Sequence, residues 1–539
     1  MRSPRRPWAA ALCAVAAALA TGSTAAARAE PSAGEELRCG FEVTRETVAV
    51  PPMNLGGGAP ARPVRPNVLP KEKETFRLIV GLTRDTLVCE DPDASPEIVA
   101  YHFPSRRITE LDLKRKTYRD LSLYAVVAFR VNESINRFAL AASIARGPAG
   151  KVQKPGDPDP APPDPNLIRC IERFAVETLF SICLKTTPPA PDGAVFLARP
   201  VIKVVPGPVG KGLRFLHDND LAVEFIPSDR PVPPDYRKSL RHFLAYRCAI
   251  HPEIREKILD TGRLPERLSY RALEFHGGTD QTVTLRLSSS SIGPARWQGP
   301  PADFTPAHDP DDPLDVVLQK VLRAPRAWPA GADQAVAFAA GAGGKGKSMP
   351  VPRKNIPAAT ATDDLPADRP ALERFVDKAL QQGRFLDAYL GWCEYTFRTG
   401  DPAADLGESI RNAARPHTTL VSSRPAPTPE GAERQLRDLD AIDRKGLTRG
   451  YMVDAIAGTI LTALGRTVDA ETRWLKALEA NPRLVSVLVQ LGSNRFRAFD
   501  QEDAWRCFDA ARHIDAHSPF LVDISGLQSR FEADFPDEF

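Results

Sequence analysis

The chain has few of the patterns that mark catalytic or metal-binding proteins. Among its 539 residues there is no Cys-x2-Cys pair and no Cys/His spacing typical of a zinc site. Neither a Gly-x-Ser-x-Gly nucleophile elbow nor a His-Glu-x-x-His motif occurs. We interpret His242, His251 and His276 as structural or exposed residues. The sequence therefore predicts no catalytic residues, no metal and no cofactor, although it does not decide whether the chain is an enzyme.

Long hydrophobic runs and a strong charge imbalance are also missing. After position 29 no apolar run approaches the length of about 20 residues that a membrane-spanning helix needs. The formal charge is +3, and it falls to −1 if residues 1–29, which carry four arginines and no acid, are removed. A near-neutral chain has no bulk electrostatic attraction to nucleic acid. We therefore predict no integral membrane segment after signal cleavage and no nucleic acid partner.

Residues 1–29 have the pattern of a secretory signal peptide. Three arginines near the amino terminus form a basic start, residues 8–20 are apolar, and an Ala-x-Ala pattern ends at Ala29. The apolar run is too short to span a bilayer. We expect a periplasmic or secreted protein, and leave open whether the segment is cleaved or retained.

An oxidising compartment makes the pairing of the cysteines relevant. Seven cysteines follow the signal, so at least one stays free or pairs between chains. Cys39 and Cys89 lie in strand-like stretches and are the best candidates for a disulfide. Cys170 and Cys183 share one predicted helix and would lie about 20 Å apart, too far for a bond. The full connectivity stays open.

The fold class predicted from the sequence is multidomain, with an α+β domain followed by an all-α domain. Residues 30–291 form the α+β domain and contain a proline-rich insertion at residues 147–166. Runs of strands and runs of helices favour a mixed or antiparallel sheet over a doubly wound parallel one. Strand candidates, which share β-branched and aromatic residues, lie at residues 41–50, 75–90, 97–103, 107–113 and 194–226.

Residues 292–369 are rich in proline, glycine and alanine and are predicted to be a mostly flexible linker. Within it, residues 341–348 match the phosphate-binding pattern Gly-x4-Gly-Lys-Ser. Such a loop must open a helix, but Pro350 and Pro352 follow, so no nucleotide site is predicted. The polar runs His217–Asp220 and His308–Asp312 are interpreted as turns rather than metal sites.

Residues 370–539 are predicted to be helical and contain a 34-residue internal repeat. A glycine, two alanines and an aromatic residue recur at this interval, and the repeated residues are Gly458, Ala470, Trp474, Ala477, Gly492, Ala504, Phe508 and Ala511. The pattern resembles the tetratricopeptide repeat (TPR), a helix-turn-helix hairpin of that length. The resemblance implies that the small residues let two helices approach and that the aromatic residue fills the gap to the next hairpin.

A looser unit lies upstream, where Gly383–Trp392 echoes Gly465–Trp474. The offset between these two segments exceeds two repeat lengths, and we expect the proline-rich stretch at residues 415–431 to absorb the excess. The segment after Ser518 is predicted to be a capping helix, because serine is a good N-cap and Pro519 suits a first helical turn.

The resemblance implies a function in protein–protein interaction. First helices of stacked hairpins in this family line a groove that commonly binds a peptide, and Thr459, Ser493 and Arg497 are expected to face it. The lysine and asparagine of the family's carboxylate clamp have no counterpart here. We therefore expect an exported scaffold or adaptor that binds a protein or peptide through its repeats. A small-ligand or lipid carrier, or a hydrolase, in the α+β domain is the alternative.

Overall fold

A computed structural model describes most of the chain, over residues 34–49, 72–93, 97–132, 202–207, 211–217, 220–274, 279–323, 368–415 and 421–539. The predicted signal peptide, the proline-rich insertion and the helix with Cys170 and Cys183 lie outside these ranges. His276 and the phosphate-loop pattern at residues 341–348 also lie outside them.

One large sheet forms the framework of the first half. Its strands are β1 (Glu35–Ala49), β2 (Glu72–Leu82), β3 (Thr86–Glu90), β4 (Glu97–His102), β5 (Arg107–Asp112), β6 (Thr117–Ser122), β7 (Ile202–Pro206), β8 (Leu213–His217), β9 (Asp220–Pro231), β10 (Arg263–Glu274), β11 (Thr279–Pro294) and β12 (Thr305–Pro306). They lie in the order β12-β6-β5-β4-β3-β2-β1-β11-β10-β9-β8-β7. β12 runs parallel to β6, and the other neighbouring strands are antiparallel.

The central strand β1 shows why one face of the sheet is covered. Every second side chain, from Leu37 through Cys39 and Phe41 to Val43, is buried. The residues between them are partly or fully exposed. This alternation is the signature of a sheet that packs on one side only, since successive side chains point to opposite faces.

Helices from two parts of the chain cover that face. One is the helical segment at residues 123–132. The others are α1 (Pro234–His242), which continues as a π-helical turn (Phe243–Arg247), and α2 (Pro252–Asp260). Both α1 and α2 begin with proline, whose missing N–H costs nothing in a first helical turn. The ring of Phe243 stacks on Phe41 of β1 at 5.9 Å between centroids, which joins the two layers.

The second half is all helical within residues 368–415 and 421–539, apart from turns and loops. Its helices are α4 (Arg369–Gln381), α5 (Phe385–Thr399), α6 (Ala404–Ala414), α7 (Pro429–Asp440), α8 (Tyr451–Ala463), α9 (Thr467–Ala480), α10 (Val485–Arg497), α11 (Gln501–Ile514) and α12 (Val522–Asp534), and α3 (Pro313–Arg323) precedes them. An α+β domain followed by an all-α domain is thus the fold class, as the sequence predicts.

The helix pairs α8–α9 and α10–α11 repeat with a fixed spacing. Each pair packs as a hairpin, and every helix boundary of the second pair follows its counterpart in the first at the 34-residue interval of the repeat. Upstream, α6 and α7 lie between α5 and α8. Helix α6 ends at Ala414 and α7 begins at Pro429, so the sequence between these two helices is long. The longer spacing upstream therefore reflects the longer intervals between the helices around the α6–α7 pair.

The predicted linker differs from the structure in its first part. β11 continues to Pro294, β12 pairs with β6, and α3 packs against α9 and α11. The buried residues of α3 recur at helical spacing and are Leu314, Val317, Leu318 and Val321. Residues 292–323 therefore belong to the folded structure, and residues 324–367 lie outside the described part of the chain.

The disulfide expected between Cys39 and Cys89 is absent, and both are free thiols. In the sheet register Val80 of β2 pairs with Cys39 on one side and with Cys89 on the other. The two cysteines are therefore two strands apart, about 10 Å, whereas a disulfide requires Cα atoms within about 7 Å. Burial raises the pKa of each thiol to about 12.

Candidate functional site

The glycine and aromatic residues of the 34-residue repeat meet within each hairpin. A methyl group at Gly492 would lie 2.6 Å from the Phe508 ring and 2.9 Å from the main-chain oxygen of Ala504. At Gly458 a methyl group would collide with the Trp474 indole in the same way. Only glycine lets these helices approach so closely. The four alanines of the repeat are fully buried, namely Ala470, Ala477, Ala504 and Ala511.

In the upstream hairpin, formed by α4 and α5, a glycine also packs against an aromatic ring, but the two residues have exchanged helices. Trp392 of α5 packs on Gly407 of α6, and its indole N–H donates to the main-chain oxygen of Pro402 at 2.9 Å. Gly391 of α5 lies against Phe375 of α4. In this hairpin the glycine is therefore on the second helix, whereas in the two later ones it is on the first.

Helix α5 packs against the first helices of the two later hairpins. Successive residues turn by about 100° around a helix, so Ile456 and Ile460 point roughly 160° to 200° away from Gly458 and α9. Both isoleucines are fully buried. Helix α5 contacts both α8 and α10, so the two first helices are packed against protein of the same chain.

Helix α5 is held there by a buried carboxylate. Glu394 is 1% exposed and accepts hydrogen bonds from Arg449 at 2.8 Å, Tyr451 at 2.7 Å and Asn481 at 2.9 Å. Burial raises the pKa of Glu394, and Arg449 offsets this only in part. The network ties α5 to the start of α8 and to the turn after α9.

The three residues predicted to line the groove do not share one environment. Thr459 is half-buried and donates its hydroxyl hydrogen to Gln490 of α10 at 3.0 Å. Ser493 is also half-buried, while Arg497 near the end of α10 is exposed. A peptide groove lined by these three residues stays a prediction.

A cleft lies where the sheet meets the helical repeats, and we call it the junction cleft. It encloses about 1160 Å³. Its walls are the outer strands β5 and β6, residues 306–322 with helix α3, and helix α11. Both halves of the molecule thus contribute side chains to one site.

Ion pairs cross the junction cleft from the sheet to helix α11. Arg107 of β5 pairs with Asp509 of α11 and, at 3.0 Å, with Asp120 of β6. Arg119 of β6 pairs with Glu502 of α11. Burial opposes the charge of Arg107, but the two aspartates outweigh it and raise the pKa of the guanidinium.

A second set of pairs joins α11 to α3 along the same cleft. Arg506 pairs with Asp315 of α3 and, at 2.8 Å, with Asp503. Burial alone would raise the pKa of Asp315, but the hydrogen bonds from Arg506 and from the main chain of Asp309 lower it overall. Burial raises the pKa of Asp503, because Arg506 offsets the loss of water only in part. The cleft therefore presents both signs of charge.

Sequence reasoning missed most of this site. His308–Asp312 is interpreted above as a linker turn, yet His308, Asp309 and Asp312 line the cleft. Asp312 also accepts the main-chain N–H of Leu314 at 2.9 Å at the start of α3. The amphipathic run at residues 314–322 was the available signal, because a buried stripe requires a partner surface.

The histidines do not form a catalytic cluster in the part of the chain that the structure describes. His242 is fully buried against the Phe103 ring, 3.6 Å between centroids, and neither ring nitrogen has a hydrogen-bond partner. Burial, aided by Lys238, Arg255 and other cations, lowers its pKa to about 2. His251 caps α2 by accepting the N–H of Glu253. No group of three metal-ligating side chains was found among the described residues.

The covered face of the sheet is filled by side chains. Phe103, Phe225 and Phe243 are among its largest fully buried residues, and Phe215 lies with them. The carrier alternative calls for a deep apolar cavity on a curved sheet. The aromatic packing on this face therefore gives no specific support to that alternative.

Comparisons with known proteins do not assign the chain to a family. No protein-family model matches the chain, and no curated protein matches it. Among the described residues, no helix combines the length and the apolar character needed to cross a membrane. The resemblance to tetratricopeptide repeats consequently rests on the 34-residue spacing and on the residues that carry it.

Proposed function

We propose that the chain is a protein-binding adaptor outside the cytoplasm that holds an extended polypeptide of mixed charge in the junction cleft. The observation that carries this proposal is the cleft between the sheet and α11, lined by basic and acidic side chains from both halves. Small-molecule pockets enclose about 300–1000 Å³. A cleft of about 1160 Å³ lined with ion pairs suits a peptide better.

The charges of the cleft are accessible enough to exchange partners. The side chains of Arg119 and Glu502 are 49% and 39% exposed, and that of Asp509 is 30% exposed. Ion pairs at such exposure contribute only about 0–1 kcal/mol each. A partner whose own charges replace these contacts therefore loses little, and alternating charge gives it a defined register.

We assign the partner to the junction cleft, and not to a groove along the repeats, because α5 packs against the first helices α8 and α10. In this proposal the TPR-like hairpins act as a rigid wall that presents α11, rather than as a free peptide groove. The fit of α3 against α9 and α11 supports such a role, since it brings the loop at residues 306–312 to the cleft.

Photo-crosslinking in cells tests the proposal. A photoreactive residue replaces Leu322, which lines the cleft and is 53% exposed, or Val522 on α12, which is 66% exposed and serves as the control. We expect one captured protein from position 322 and none from 522, and the identified protein should then bind the purified chain. Equal capture at both positions, or none at 322, contradicts the proposal.

The location outside the cytoplasm is the part of the proposal that rests on residues 1–29 alone. Mass spectrometry of the mature protein tests it, and we expect a chain that begins at Glu30. Recovery of the uncleaved chain from the cytoplasm would rule out the exported role while leaving the cleft to be tested separately.

A further inference from the structure

A second charged pocket lies on the α+β half, and an acidic segment of the same chain fills it. Residues Pro536–Glu538 form a 3-10 turn beside α1. Glu538 is 2% exposed, accepts a hydrogen bond from Arg255 at 2.8 Å and lies 3.5 Å from Arg130. Asp537 accepts a hydrogen bond from Arg241 at 3.1 Å. Both acidic side chains are therefore paired with arginines.

An aromatic slot adjoins these arginines. Phe539 is 4% exposed, and its ring lies 5.1 Å from that of Tyr124 and 5.3 Å from the guanidinium carbon of Arg106. Its main-chain oxygen accepts hydrogen bonds from Lys238 at 3.2 Å and from Arg106 at 3.3 Å. The pocket thus holds an acidic residue followed by an aromatic one.

The segment does not use all the donors that the pocket offers. Arg255 is 1% exposed, and its Nε and Nη1 have no hydrogen-bond partner. The Oε2 atom of Glu538 also has none. Five cations line the pocket and are contributed by Arg106, Arg130, Lys238, Arg241 and Arg255, of which Arg106 and Arg241 also pair with Glu532 and Glu256. Arg255 is buried, and a buried cation without an anion is costly, so the pocket favours an anionic occupant.

We propose that this pocket is a binding site for an acidic–aromatic peptide of a partner protein, and that Asp537–Phe539 occupies it until the partner exchanges with it. The charge complementarity and the seated segment identify the chemistry of the partner. It carries an aspartate or glutamate directly before a phenylalanine or another aromatic residue. None of the five cations lines the junction cleft, so the two sites are tested independently.

A direct binding measurement on the full chain tests the exchange. The probe is a fluorescent peptide with the sequence of residues 529–539, amidated so that no terminal carboxylate contributes. The double variant Glu538→Ala, Phe539→Ala should bind it at least about tenfold more tightly than the wild type, because an occupied site lowers the apparent affinity by the fraction that is free. A peptide with both residues changed to alanine should not bind.

Variants of the pocket separate a specific site from general basic attraction. In the double variant, Arg255→Gln should abolish binding of the probe, whereas Arg437→Gln, at an exposed arginine that lies in neither the pocket nor the junction cleft, should leave it unchanged. Equal affinity of the double variant for the probe and the changed peptide overturns the proposal. Equal binding of inorganic phosphate in competition would also overturn it, since the aromatic slot would then contribute nothing.

Hydrogen exchange on the wild type tests the proposal even if the double variant does not fold. Excess isotope-labelled peptide should increase deuterium uptake of the main chain at residues 535–539, because the chain's own segment leaves the pocket. Unchanged uptake at saturating peptide overturns the proposal.

Discussion

At the scale of single residues, the repeat depends on places where a side chain has no room. Gly492 faces both a ring and a main-chain oxygen, and a main-chain oxygen cannot move aside without bending its helix. Gly526 in α12 gives the opposite situation, because a methyl group there would meet nothing within 4 Å. Both glycines lie within α-helices, so they differ in their surroundings and not in their secondary structure.

We predict that Gly492→Ala destabilises the protein and that Gly526→Ala does not. Alanine favours a helix interior by about 1 kcal/mol over glycine. At position 492 overpacking costs about 1–3 kcal/mol, which exceeds that gain. Urea unfolding should show a lower midpoint for the first variant and an equal or higher midpoint for the second. Stabilisation by Gly492→Ala would contradict the packing described here.

His242 makes stability depend on pH. Its pKa is lowered to about 2 by burial among Lys238, Arg241, Arg255 and Arg106, so the folded protein keeps the ring neutral. The unfolded chain binds a proton below about pH 6.5. The contribution of the neutral ring is therefore complete above that pH and is lost as pH falls toward 2.

We predict that His242→Phe removes this part of the acid sensitivity. Between pH 8 and pH 5 the wild type should lose about 2 kcal/mol more stability than the variant. Urea midpoints at the two pH values give the comparison, and any constant packing penalty of phenylalanine cancels in the difference. The exposed His517, changed to phenylalanine, is the control and should keep the slope of the wild type. Parallel slopes for all three proteins would refute the assignment.

At the scale of elements, three hairpin turns share a backbone conformation with positive φ. Two of them have glycine at this position and the third has phenylalanine. Gly383 between α4 and α5 has φ 71°, and Gly465 between α8 and α9 has φ 73°. The equivalent residue between α10 and α11 is Phe499, with φ 66°. Glycine adopts positive φ freely, whereas the same conformation costs a residue with a Cβ roughly 1–2 kcal/mol.

We predict that Phe499→Gly stabilises the protein relative to Phe499→Ala. Both variants remove the same ring, which is 47% exposed, and only glycine relieves the positive φ. The difference should be about 1 kcal/mol in the free energy of unfolding. If the alanine variant is as stable as the glycine variant, the turn does not keep this conformation in solution.

The elements that a local pattern specifies were predictable, and those that depend on distant partners were not. The alternation from Leu37 to Val43 and the 34-residue spacing each lie in one stretch of chain, so the sheet and the hairpins could be predicted. The cross-strand position of Cys39 and Cys89 requires the order of three strands. The contact of Glu538 with Arg255 joins residues 283 apart in the chain, for which no periodic signal exists.

At the scale of the whole molecule, the two halves are joined by apolar packing as well as by charge. The rings of Tyr124, in the α+β half, and Trp505 of α11 stack at 5.2 Å, and Trp505 is fully buried. Helix α3 precedes the residues at 324–367 and yet packs on α9 and α11 beyond them. We therefore expect the two halves to stay associated when the chain between them is cut.

We predict that fragments made by trypsin at the basic cluster Lys345–Lys354, where the sequence predicts a linker, elute together in size-exclusion chromatography. Val321→Asp places a charge on the fully buried face of α3 and should separate them, because an unpaired buried carboxylate is costly. Leu322→Asp, at the adjacent exposed position, is the matched control and should leave them together. Separate elution of the wild-type fragments would show that the halves are held by the connecting chain alone, and the junction cleft would then lose one of its walls.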